Sequence, residues 1–408
     1  MSPGEQALSD VFNPETAVHP LDLTDAVYHT ENPWPVYNWL MDEAPLYQDS
    51  NGFWYVSRYD DLKALAMDPV TFTSTEGNRP GLPNDHSFIH LDGKGHHARR
   101  GLIQHLFTPA AIKKLDGHIT DVVDTLLDEV IESGECDFVE DVAAKLPMQL
   151  IGEMTGTPPE MWDEIRGWLD VFVTGGQGPQ YVTEDVNEMF LRFGALHMDL
   201  VDERRANPKD DLLSLWANAS IDGEPLTDDD ILWEHTMMTV GGSETTRNSV
   251  SGGILAMLEN PDQREFLAQN PKAIGNAIDE ILRWTTPFIG MSRTLTRDVT
   301  LHGKTMAKGE QVVLLWPAGN RDPRRFENPQ KFDLQRQFTH RMLAFGLGHH
   351  VCLGEHLARM ETRIVIERLF ARMPDFQLNG TPEKSQSSFI RGLKTLPLRF
   401  TPGPRVRS

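Results

Sequence analysis

One stretch constrains the fold of this chain more than any other: an unbroken helical pattern from Thr227 to about Asn260, closed by Pro261. Thr227 has the side chain of an N-cap, and Asp228, Asp229 and Asp230 suit the positive end of a helix dipole. At 1.5 Å per residue, a helix of ~33 residues is roughly 50 Å long, the width of a whole domain. Such an element is expected to be a central spine. Gly241 and Gly242 fall inside it, where each costs about 1 kcal/mol relative to Ala. They mark either a close helix contact or a local opening where something small approaches the backbone.

The other elements are expected to build around that spine as a mainly α chain with a minor, segregated β part, an α+β class. Residues 1–35 read as an irregular, Pro-containing segment. Short strand signals follow at Gly52-Phe-Trp-Tyr-Val-Ser and near Phe72. Amphipathic helical stretches cover 110–133, 141–156, 159–173, 183–206 and 210–219, separated by Gly, Pro and Asn breaks. After 290 the pattern changes to hairpins at Val299-Thr-Leu-His-Gly-Lys and Glu310-Gln-Val-Val-Leu-Leu-Trp. Loops are expected from 317 to 341, a last helix over about 353–373, and a strand at Leu396-Pro-Leu-Arg-Phe. No repeat or linker divides the chain, so residues 1–408 read as one domain.

Charge and cysteine usage exclude whole classes of function. The formal net charge is −22, which repels phosphate backbones and makes nucleic acid a poor partner. Two cysteines, Cys136 and Cys352, are too few for a disulfide scaffold and fit a reducing compartment. The stretch MSPGEQALSDVFNPETAVHP has neither a basic n-region nor an apolar h-region, and no run of 18 apolar residues occurs. A cytoplasmic protein without a membrane anchor is expected.

The most informative segment is Phe345-Gly-Leu-Gly-His-His-Val-Cys-Leu-Gly354, three glycines around one cysteine just before a strong helix. Glycines allow a tight loop that can lie flat against a planar ligand. The amides at the start of the following helix point back at the sulfur and favour a thiolate, suited to metal ligation. Cys136, in Gly-Glu-Cys-Asp-Phe-Val, reads as a buried structural thiol at a loop-to-element junction.

That segment resembles the haem-binding signature of the cytochrome P450 family, Phe-x-x-Gly-x-His/Arg-x-Cys-x-Gly, at Phe345, Gly348, His350, Cys352 and Gly354. The resemblance implies the fold of that family, haem b (iron protoporphyrin IX) as cofactor, and Cys352 as the ligand of its iron, donating electron density that favours O–O cleavage. It places Phe345 near the sulfur and His350 near a haem propionate. Other motifs of the family follow in order. Glu280-Ile-Leu-Arg283 resembles a structural Glu-x-x-Arg pair, and Phe332-Asp-Leu-Gln-Arg336 the segment that brings it a second arginine. Asp92-Gly-Lys-Gly-His-His-Ala-Arg-Arg100 resembles the segment whose histidine and arginine, here His96 and Arg100, hold propionates. Arg293 matches a further propionate arginine. Gly93, Gly95, Ala98 and Gly101 depart from the usual pattern there.

Gly241-Gly-Ser-Glu-Thr-Thr246 resembles the oxygen-activation segment of the same family. By that resemblance Gly242 leaves room for dioxygen, and Glu244 with Thr245 deliver the protons that let water depart. Read without the family, a Thr-Thr pair in a helix more often bonds a backbone carbonyl. The implied activity is hydroxylation of an unactivated C–H bond with O₂ and two electrons. The electrons would come from a ferredoxin and ferredoxin reductase, docking on a monomer near Lys113, Lys114, Arg341 and His349.

The loop 77–90, the region 165–195, Pro287–Met291 and Ser388-Phe389 would line the pocket. Val171, Phe172, Met237, Phe288, Ile289 and Met291 suggest an apolar guest. The runs 241–253 and 135–139 most resemble bacterial members that oxidise sterol side chains and terpenoids. A steroid- or terpenoid-like substrate is favoured, with fatty acid, aromatic and polyketide substrates as alternatives. Three rivals use the same residues otherwise: a zinc site from His349, His350, Cys352 and His356, a haem sensor or carrier without catalysis, and a peroxide-driven enzyme.

Overall fold

The computed structural model describes Phe12 and residues 19–407. Most of the N-terminal stretch assessed above, and much of the irregular segment over 1–35, lies outside the described residues. Eight helices carry the architecture: α1 (Gly93–Ile103), α2 (Asp116–Val130), α3 (Lys145–Thr155), α4 (Trp162–Gly175), α5 (Glu184–Ala206), α6 (Asp228–Glu259), α7 (Ile274–Thr285) and α8 (Glu355–Arg372). The expected spine is α6, 32 residues long. Thr227 accepts from the Asp230 amide at 3.1 Å and the Asp230 carboxylate accepts from the Thr227 amide at 3.1 Å, a reciprocal capping box. Pro261 opens the next short helix, so α6 ends at the expected place.

The spine packs against α3, α5, α7 and α8, and α8 packs against α2. The helices bury one continuous apolar core that includes Ile151, Ile254, Ile281 and Val365. Gly242 contributes to this packing. A Cβ there would lie 2.8 Å from Ile151 Cγ1, so only glycine lets α6 and α3 approach so closely. Gly241 faces open space, with nothing within 4 Å of where its Cβ would be. The two readings of the glycine pair therefore both hold, one at each residue, and the opening expected at Gly242 lies at Gly241.

A five-stranded sheet stands beside the helices. Its strands are β1 (Leu46–Gln48), β2 (Trp54–Val56), β3 (Phe72–Thr73), β4 (Gly290–Leu295) and β5 (Gln311–Leu315), in the order β1-β2-β5-β4-β3. Only β2 and β5 run parallel. Strands from both sides of the helical middle thus share one sheet, and β4 carries Arg293 opposite Val312. The run Gly290-Met-Ser-Arg-Thr-Leu295 does not read as a strand in the sequence, because its buried residues, on both faces, include polar Ser292, Arg293 and Thr294. Cys136 sits inside a short strand, Glu135–Asp137, where burial pushes its thiol pKa up to about 12.

The expected structural trio is assembled in the protein interior. Glu280 takes two hydrogen bonds of 2.7 Å from Arg283 and one of 2.8 Å from Arg336. Arg283 also donates to the Asn320 carbonyl at 2.9 Å and Arg336 to that of Lys331 at 2.8 Å, so the buried charges tie α7 to the irregular 317–341 region. Among the described residues, no helix is long and apolar enough to cross a membrane.

Candidate functional site

The loop before α8 is built by its glycines and one backbone bond. The Cys352 amide donates to the Phe345 carbonyl at 2.9 Å, folding 345–352 back on itself. Gly348 has φ +76°, and a Cβ there would sit 2.4 Å from the Ala66 carbonyl oxygen, so no other residue fits. The amides of Gly354 and Glu355 donate to the sulfur, as expected for a helix start. Cys352 is accessible to solvent-sized space, yet it sits deep enough that burial pushes its thiol pKa up to about 11. A side chain both reachable and deep lines an internal cleft. Phe345 is partly buried under the Arg359 guanidinium, 5.3 Å from its ring centre.

One edge of that cleft is a cradle of nitrogen donors. His96 is 2% exposed, and neither of its ring nitrogens has a hydrogen-bond partner. Its ring centre is 4.5 Å from that of His350. Burial pushes the His96 pKa down to about 3, with His350 and Arg100 adding to the fall. His350 is held by Asp92 at 2.9 Å and Ser74 at 3.3 Å. The Asp92 carboxyl stays down at about 2: burial would raise it, but bonds from His350, Thr73 and the Ser74 amide outweigh that. Arg293 is buried, lowered by burial to about 10, and its Nη1 donates to its neighbour's carbonyl at 2.7 Å. Arg100, also lowered by burial, interacts with the Cys352 sulfur.

An imidazole buried with both nitrogens unpaired, beside Arg100, Arg293 and His350, suits a ligand that brings its own anionic oxygens. The two propionates of haem b supply such oxygens, and Cys352 supplies a soft metal ligand. The donor set fits the group.

The remaining expected site residues lie in the middle of α6, which packs against the helix that follows the cysteine loop. Thr245 Oγ1 donates to the Gly241 carbonyl at 2.8 Å, the backbone bond expected of such a threonine. Glu244 is 4% exposed and accepts from Arg247 Nη1 at 3.3 Å. Burial raises its pKa, and Arg247 opposes the rise. The same Arg247 nitrogen reaches Asp170 of α4 at 2.9 Å, and Asp170 is 64% exposed. A buried carboxyl is thus linked through one guanidinium to the surface, next to a hydroxyl on an open stretch of helix.

The predicted pocket segments do converge. Arg79 and Pro80 of the 77–90 loop, Gly176 after α4, Ile289, Ser388 and Phe389 line one cavity. Phe172 lines a second with Phe190, Phe193 and Thr239, between α4, α5 and α6. Phe288 packs on Phe389, ring centres 5.0 Å apart. Met237 is buried in α6, and Val171 and Met291 are half-buried. Two residues were missed: Arg79, inside a loop that was singled out only as a whole, and Arg99. Arg99 pairs with Asp230 and with Glu234, the latter at 3.1 Å, and ties α1 to the first turns of α6. Both signals were hidden because an isolated arginine reads as surface charge.

The rival zinc set is not assembled among the described residues. His349 clusters with His96 and His97, while Cys352 and His356 stand outside that group. Of the expected docking residues, Lys113, Lys114, Arg341 and His349 are all exposed, though Arg341 is paired with Glu355.

Comparison with known proteins agrees with this arrangement. The family model for cytochrome P450 matches residues 135–398. A steroid C26-monooxygenase of Mycobacterium tuberculosis (strain ATCC 25618 / H37Rv) is 37% identical, over 94% of this chain and 98% of its own length. A linalool 8-monooxygenase of Pseudomonas putida is 33% identical, over 92% and 97%. Among solved structures, a Mycobacterium marinum cytochrome P450 in complex with pseudoionone superposes with a TM-score of 0.86 at 29% identity, covering 94% of this chain and all of that one. On a family model that covers well over half of the chain and relatives matched along nearly their whole length, the chain belongs to the cytochrome P450 family of haem b monooxygenases.

Proposed function

We propose that this enzyme hydroxylates a steroid- or terpenoid-like lipophile, with Cys352 as the iron ligand and electrons from a ferredoxin and its reductase. The observation that carries the reading is the Cys352 sulfur, reachable inside a cleft and receiving the Gly354 and Glu355 amides. Those amides and Arg100 stabilise negative charge on the sulfur and hold it in place. When bound, haem b supplies dioxygen activation and oxidation of the substrate C–H bond.

The protein residues do the rest. His96, Arg100, Arg293 and His350 would hold the two propionates, and Asp92 fixes the His350 ring by accepting its Nε2–H. Glu244, whose pKa burial raises against the pull of Arg247, takes protons passed inward from Asp170 past Arg247. The Thr245 hydroxyl, held on the Gly241 carbonyl, hands them toward the open stretch of α6. The apolar residues among the linings of the two cavities would exclude water around the guest. Support for the substrate class comes from the named relatives, a steroid C26-monooxygenase and a linalool 8-monooxygenase. The deciding test is the carbon monoxide spectrum of reduced protein. A strongly red-shifted band that disappears in Cys352→Ala supports the reading, and the same band in that variant sinks it.

A further inference from the structure

The cavity between the 77–90 loop and Phe389 contains a charge that the protein leaves unpaired. Arg79 is 9% exposed, and its Nη1 is sealed from solvent without a hydrogen-bond partner. The guanidinium carbon lies 3.1 Å from the Phe389 ring centre and 6.0 Å from that of Phe172. Asp85 is the one acid that acts on it among the described residues, and that carboxylate is engaged by Ser87 at 2.6 Å and by His90. Burial lowers the Arg79 pKa only to about 9, so the group is a cation at neutral pH. His29, which lines the same cavity, is held neutral by burial, its pKa near 4.

Burying a guanidinium without an acceptor is costly, and aromatic faces compensate only in part. A neutral oxygen would fill the vacant hydrogen bond but leave the charge; a carboxylate satisfies both. We infer that Arg79 recognises a carboxylate, and that the substrate is an apolar body carrying an acid group away from the carbon that is oxidised. This rests on the monooxygenase reading above. The apolar wall of Phe172, Ile289 and Phe389 would take the hydrocarbon while Arg79 fixes its direction.

The test compares binding of acids with that of their methyl esters to the haem-loaded protein, followed by the low- to high-spin shift. Hexadecanoic acid, abietic acid and 3-oxochol-4-en-24-oic acid represent fatty, terpenoid and steroid bodies. At least one acid is expected to bind about tenfold or more tightly than its ester. The preference should vanish in Arg79→Gln and partly return in Arg79→Lys. No acid preference in the parent, or one that survives in Arg79→Gln, overturns the inference. Loss of haem from Arg79→Gln also overturns it, since the guanidinium would then serve a propionate. If the variant does not fold, the parent comparison and Arg79→Lys still decide. A missing carbon monoxide band would instead sink the monooxygenase reading itself.

Discussion

At the scale of single residues, Glu244 and Thr245 are neighbours in sequence with different surroundings. Glu244 is buried against Arg247, and Thr245 hangs on the carbonyl of Gly241 at the open stretch of α6. Removing each should therefore fail differently. Thr245→Ala should keep haem and substrate binding while diverting electrons to hydrogen peroxide, measured as peroxide formed per reductant consumed; unchanged coupling would refute the role. Glu244→Gln keeps the shape but removes the titrating group, so turnover should fall by about 10²–10⁴-fold if the carboxyl relays protons. Solvent isotope effects on turnover should change with it. The types of these residues, and those of Cys352 and His350, were legible in the sequence because loop and helix-start chemistry is local. The Arg247–Asp170 link was not, since it joins two helices that only tertiary packing brings together.

At the scale of elements, the two adjacent glycines of α6 make a matched pair for experiment. A Cβ at Gly242 would press into Ile151 of α3, and one at Gly241 would meet nothing. Gly242→Ala should destabilise the fold by about 1–3 kcal/mol through overpacking, and Ile151→Ala should cost less in the Gly242→Ala chain than it costs alone. Gly241→Ala should be neutral or stabilising by up to about 1 kcal/mol, because alanine is the better helix former. Denaturant titration of the four variants checks both statements, and equal losses at the two positions would show that the spine does not pack as described. The spine itself was legible from its cap, its length and the closing proline. Strand β4 was not, because Ser292, Arg293 and Thr294 are polar residues buried for the sake of the site and its neighbours. A strand whose inner face carries an arginine has lost the apolar pattern by which strands are recognised.

At the scale of the whole molecule, acid should destabilise the fold through imidazoles that burial keeps neutral, in the N-terminal region and in the helical core alike. His29 is 1% exposed, bonded to Tyr37 Oη at 2.8 Å and to the Leu23 carbonyl at 2.8 Å. Burial depresses its pKa from 6.5 to about 4, against smaller opposing contributions from the Leu23 carbonyl and Asp25. The folded state thus binds the proton more weakly than the unfolded state. The contribution is fully present above about pH 6.5 and is lost as pH falls through about 4. At ~1.4 kcal/mol per unit of pKa, the loss from this one residue is about 3 kcal/mol. His29→Gln should be less stable than the parent at pH 7, yet lose about that much less on going to pH 4, as read by denaturant midpoints across the range. His197, depressed by burial to about 4, titrates in the same window on α5, so the parent slope should exceed the contribution of His29 alone. A parent whose stability is flat between pH 6.5 and 4, or a variant with an unchanged slope, would mean that these imidazoles are already free to take up protons in the folded state.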